Sequence, residues 1–179
     1  MAMEIYDYFR TRCANTLEVV QNLVALFDDL QGRTQHPELR EIAKDYFQNL
    51  SLEEADMTTV LHHLGETHPT WQLPELQAGE RLVIVGRGWV GMVETHRVFI
   101  GQIAPQLIDI NTALVMEEAT HFNQGNYTGL IVLAKHLGYG EIATLLQSCI
   151  DREVQMRTRM EGALWWVVGD LQGEVRKAA

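Results

Sequence analysis

The sequence predicts an all-α fold, a four-helix bundle whose helices are joined in pairs by short turns, with one long crossover between the pairs. Three observations carry this. Apolar residues recur at helical spacing through four long stretches. Gly or Pro punctuates the ends of those stretches. A single segment, about residues 66–104, breaks the pattern with clustered Gly and Pro.

The first helix is expected from about residue 4 to 31, with Ile5, Phe9, Val19, Val20, Leu23, Val24, Leu26, Phe27 and Leu30 as its stripe and Gly32 as its stop. Pro37 suits the first turn of the second helix, which runs to Leu64 with Gly65 beyond. Its stripe is Leu39, Ile42, Tyr46, Leu50, Met57, Leu61 and Leu64. The third runs from Pro105 to His136, with Leu107, Ile110, Leu114, His121, Thr128 and Val132 read as its stripe. Gly138 and Gly140 make a turn, and the fourth runs from about Glu141 to Val168 along Ile142, Leu146, Cys149, Met156, Met160, Leu164 and Val167. Hairpin, crossover, hairpin is the ferritin-like arrangement. One domain over residues 1–179 is expected, with a short helix from about Trp89 to Ile100 inside the glycine-rich crossover.

The crossover also holds "VIVGRGWVG", in which Gly86, Gly88 and Gly91 have the G-x-G-x-x-G spacing of a dinucleotide cradle. That motif needs strands on both sides of its turn. Helical patterns flank it instead, and no cofactor-binding residue is assigned there. Asp109 lies at roughly the distance of a ribose-binding carboxylate, but "LIDI" would be the sole partner strand. Glycines that let the crossover lie close against the bundle are the better reading.

A formal net charge of −10 repels phosphate backbones and anionic lipid, so neither nucleic acid nor membrane is an expected partner. No apolar run reaches the roughly 18 residues of a membrane span. The N-terminal segment lacks the basic and apolar regions of a secretory signal. Cys13 and Cys149 match no metal or redox spacing. Cytoplasmic localisation is expected.

Chemistry in a bundle comes from polar side chains that facing helices project inward, most often carboxylates and an E-x-x-H pair. Glu53 and Glu54 sit between Leu50 and Met57, on or beside the stripe of helix two. Glu118 and His121 form an E-x-x-H on helix three, and Glu153 lies on the stripe of helix four. Two readings stand: a metal site, or a buried polar cluster whose carboxylates are paired. His62 and His63 are adjacent and diverge, which suits a surface or interface role. Trp165 and Trp166, with Tyr6, Tyr8 and Phe9, suit core or dimer contacts.

The segment "EEATHFNQGNYTGLIVLAKHLGYGEIATLLQSCIDREVQMRTRM" resembles the YciF-like family of ferritin-like bacterial stress proteins. The order His121, Phe122, Tyr127, Leu130, "HLGY" (His136 to Tyr139), Leu145, Leu146 and Glu153 carries the likeness. The resemblance implies a helical bundle that dimerises and holds a di-metal carboxylate site between helices. It also implies where ligands would fall: near Thr16, near Ser51 and Glu54, at Thr120, His121 and Asn123, and at Glu153 and Arg157. Several of these positions are neutral and one is cationic, and a one-residue slip in helix two would bring in Glu53 instead of Ser51. A set of Glu54, Glu118, His121 and Glu153 is left as the candidate metal ligands, for iron or manganese if any metal binds. The expected function is a stress-associated, dimeric interaction module with a degenerate or absent di-metal site. The alternative is a metal-dependent oxidoreductase or metal-binding protein using those four residues, with no catalytic residue assignable.

Overall fold

A computed structural model describes residues 4–67 and 105–178. They form four helices and, among the described residues, no strand: α1 (Ile5–Arg33), α2 (Pro37–Thr67), α3 (Pro105–His136) and α4 (Gly140–Ala178). The crossover, its glycine motif and its expected short helix lie outside the described residues. Gly32 and Gly65, expected as stops, stand inside the last turns of α1 and α2. The fourth helix continues past Val168 to Ala178.

Each helix buries one side. α1 packs mainly on α2 and α3 on α4; α2 also meets α4, and α1 meets α3. The helices are therefore arranged around the core in the order α1, α2, α4, α3. Contacts at the two ends fix their directions. At one end the Tyr6 hydroxyl donates to the Leu64 carbonyl at 2.9 Å, and Phe9 stacks on Tyr139 with ring centroids 6.3 Å apart. This end joins the start of α1, the end of α2 and the α3–α4 turn. At the other, Asp109 near the start of α3 accepts from the backbone N–H groups of Gln35 (2.7 Å) and His36 (3.0 Å). α2 and α3 thus run in the same direction and α1 and α4 in the other, as a ferritin-like bundle with one long crossover requires.

The turns are built by local chemistry. Gly138 has φ +83°, and the amides of Gly138 and Tyr139 donate to the carbonyls of Lys135 and Ala134, a Schellman closure that needs the left-handed residue. Asp109 is a structural cap that satisfies donors at the entry to α2. Asp109→Ala should cost about 1–2 kcal/mol, read as a fall of roughly 2–8 °C in melting temperature. An unchanged melting temperature would contradict this capping role.

Among the described residues no helix is long and apolar enough to cross a membrane. Cys13 and Cys149 are buried free thiols.

Candidate functional site

The apolar core is divided in two. One cluster joins Leu23, Phe27 and Leu30 of α1 to Tyr46 and Leu50 of α2, Met116 and Ala119 of α3, and Met156 and Met160 of α4. The other joins Phe9 and Cys13 to Met57 and Val60, Tyr127 and Leu130, and Leu146 and Cys149. On every helix the chain passes from one cluster to the other through a buried polar residue: Thr16, Glu53, Thr120 with Asn123, and Glu153. These positions lie near mid-helix. The spacing explains the placement, because Glu53 follows Leu50 by three residues and precedes Met57 by four, which keeps it on the inner face.

Glu53 and Glu153 are both completely buried. The Tyr127 hydroxyl donates to Glu53 Oε2 at 2.7 Å. Asn123 Nδ2 donates to Glu153 Oε1 at 2.6 Å, and the Tyr46 hydroxyl lies 3.4 Å from the same oxygen. Arg152 reaches the layer from α4: an Nη2 hydrogen bond goes to Asp56 Oδ2, and its Nε is 4.0 Å from Glu53 Oε1.

Burial pushes the Glu153 carboxyl up to about 7, against the pull of its hydrogen bonds to Asn123, Glu53 and Tyr46 and of the Arg152 charge. Glu53 is held well above the usual carboxylate range, first by burial and then by the charge of Glu153. Two donors favour the anion on Glu153, which leaves Glu53 to carry the proton of the pair. Burial also raises Tyr46 and Tyr127, so both remain hydroxyl donors. The Cys149 thiol is raised by burial and then by Glu53, and Cys13 by burial. Neither is a poised thiolate nucleophile.

Of the four expected ligands, Glu153 alone is inside. Glu54 points toward α1 and accepts from Gln21 Nε2 at 3.1 Å near the surface. Glu118 is exposed. His121 is 55% exposed and pairs with Glu117 one turn away at 2.9 Å. Among the described residues no group of three or more His, Cys, Asp and Glu side chains is arranged to hold a metal. The physical reason lies largely in α3, the most apolar and least one-sided of the helices. Of its expected stripe, Leu107, Leu114, His121, Thr128 and Val132 lie on the solvent face, and Ile110 is partly buried against the core. The buried face is Thr112, Met116, Ala119, Asn123, Tyr127, Leu130 and Ala134. Tyr127, Tyr46 and Arg152 are the groups that the sequence did not assign to a site, while Glu53 and Asn123, named there but left out of the ligand set, are buried in the layer. His62 and His63 are exposed as expected, and the exposed Trp165 and Trp166 are not core residues.

The family described as "Domain of unknown function (DUF892)" matches residues 6–168. The chain belongs to this family. Among solved structures, the stress protein YciF of E. coli is similar to it with a TM-score of 0.76 at 16% identity, covering 94% of this chain and 99% of YciF. YcfI of Rhodopseudomonas palustris is similar with a TM-score of 0.72 at 14% identity, covering 89% of this chain and 94% of YcfI. No curated protein matches the chain. At these identities the two structures establish the YciF-like bundle fold of this DUF892 protein.

A di-metal centre of the ferritin-like kind draws a carboxylate from each of four helices and an imidazole from two. The described residues of this DUF892 chain do not fit it. α1 and α3 offer Thr16, Thr120 and Asn123 at the buried mid-level, while every histidine of the described residues lies on the surface or at a turn. Two carboxyls, one of them held neutral, cannot balance two divalent ions, and Arg152 adds positive charge beside them.

Proposed function

We propose that this protein is a dimeric, cytoplasmic interaction module of the stress-protein class whose bundle centre is closed by hydrogen bonds instead of metals. One observation carries the reading: the mid-bundle layer pairs its carboxyls with Tyr127, Asn123 and Tyr46. Function then rests on the surface. Trp165 is 79% and Trp166 50% exposed, large apolar groups at the cost of solvation unless a partner covers them. Trp166 also walls an open cleft of about 610 Å³ with Pro37, Glu41, Ile42 and Arg159.

Oxidation of added ferrous iron in air should proceed at the buffer rate with or without the protein; saturable acceleration would overturn the reading. Light scattering of the Trp165→Ala/Trp166→Ala double variant should give a monomer where the parent gives a dimer, with the helical spectrum retained. A variant that remains dimeric would remove the indoles from the contact.

A metal-dependent oxidoreductase remains the second reading, favoured by one feature. Asn123 Oδ1 is a buried oxygen without a protein hydrogen-bond partner, beside the Glu53–Glu153 carboxyl pair. Stoichiometric iron or manganese that disappears in Glu153→Gln would support it.

A further inference from the structure

The cleft walled by Trp166 lies between the start of α2 and the far part of α4, and its charge is one-sided. Pro37, the buried Ile42 and Gly162 give it apolar walls, and a Cβ on Gly162 would stand 4.0 Å from the Trp166 ring. Glu38 and Glu41 line its α2 side, and among the described residues neither is in an ion pair or a side-chain hydrogen bond. On the α4 side the Arg159 charge is already taken, because its Nη2 lies 2.7 Å from Asp45 Oδ2. An indole beside two uncompensated carboxylates suits apolar matter that carries positive charge.

The end of α4 has that composition. α2 begins at Pro37, level with Trp166, and α4 continues from Trp166 to Ala178, about 18 Å further. Gly162, Trp166, Gly169, Gly173 and Arg176 follow at alternating intervals of four and three, so they share one face of the helix, with Lys177 next to them. Gly169 is exposed, and among the described residues nothing stands within 4 Å of where its Cβ would be. It is seven residues after Gly162 and seven before Arg176. An antiparallel copy of α4 that crosses at Gly169 therefore brings its position 176 opposite Gly162, in the cleft with Glu38 and Glu41. Its Gly173 falls beside Trp166, where the missing side chain leaves room for the indole.

We infer that two copies of this chain pair through antiparallel α4 helices crossing at Gly169, each placing Arg176 and Lys177 against Glu38 and Glu41 of the other. This rests on the dimer reading above and deepens it by assigning the contact. A two-fold pairing fills both clefts at once and closes the assembly at two chains. It covers Trp166 and brings a second helix beside Trp165, the most exposed large apolar residue of the described chain. Two chains of net charge −10 repel one another, and the four cationic side chains opposite four carboxylates offset that repulsion where the copies meet.

Sedimentation equilibrium of the full chain and its charge-reversed variants tests the contact. Arg176→Glu/Lys177→Glu, confined to the last turn of α4, should keep the helical spectrum and weaken dimerisation at least about tenfold. Glu38→Lys/Glu41→Lys should do the same, and the variant carrying all four changes should return to within about threefold of the parent. If the α2 pair does not fold, Gly173→Phe replaces it: a ring beside Trp166 should weaken the dimer at least about tenfold. A dimer that is unchanged by the α4 pair, or that is not regained when all four charges are reversed, overturns the contact and leaves the dimer reading intact. A monomeric parent overturns both.

Discussion

The Glu53→Gln variant should melt well above the parent at pH 7 to 8 and close to it below pH 5. Glu53 keeps its proton in the folded bundle first because it is buried and then, once Glu153 ionises, because of that charge beside it, whereas the unfolded chain releases the proton near the ordinary 4.5. Between those limits the native state binds more protons, so stability falls as pH rises. By pH 7 the proton retained on Glu53 lowers stability relative to acid, which reads as a lower melting temperature of the parent. Gln is neutral at every pH, can accept from Tyr127, and offers an amide N–H toward Glu153. Glu153, pushed up to about 7, contributes a slope of the same sign between about 4.5 and 7, so the single variant flattens the profile in part. The double variant Glu53→Gln/Glu153→Gln should flatten it further. Thermal melts from pH 4.5 to 8 check this; a parent whose stability rises over that range, or an unchanged slope in Glu53→Gln, would contradict it.

Phe27→Ala should cost about 3–5 kcal/mol, a fall of roughly 6–20 °C. Phe27 is fully buried in the cluster that adjoins the polar layer, and its ring meets Tyr46 edge-on with centroids 4.8 Å apart. That contact fixes the ring whose hydroxyl faces Glu153. Truncation therefore leaves a cavity and also loosens a donor to the buried anion. Phe27→Leu keeps most of the volume and should cost much less. A Phe27→Ala melt within a degree or two of the parent would mean that this cluster does not carry the core.

The bundle was legible in the sequence because α1, α2 and α4 concentrate their large apolar residues on one side. The mid-bundle layer was legible only in part. Glu153 was recognisable because Cys149 and Met156 bracket it at spacings of four and three. Glu53 is bracketed as closely by Leu50 and Met57, yet Glu54 was carried forward by likeness to a metal-binding pattern that this chain does not keep. On α3 the inner face mixes Met116 and Leu130 with Ala, Thr, Asn and one Tyr, while Leu107, Leu114 and Val132 face outward. Hydrophobicity alone then selects the wrong side, and His121 follows it. Small and polar residues packed against a layer of hydrogen bonds give no apolar signal, which is why the roles of Asn123 and Tyr127 as donors to the buried carboxyls emerge only from the three-dimensional arrangement. Arg152 was hidden for a different reason: its stem lies beside the stripe, and only the guanidinium reaches Asp56 and Glu53.

On the proposed reading, protons and hydrogen bonds close the middle of this bundle without metal. Elemental analysis of protein purified from cells supplied with iron and manganese tests it most directly. Metal should stay far below stoichiometric amounts, and the melting temperature should not change after treatment with a chelator. Stoichiometric iron or manganese, removed by the chelator with loss of stability, would contradict it.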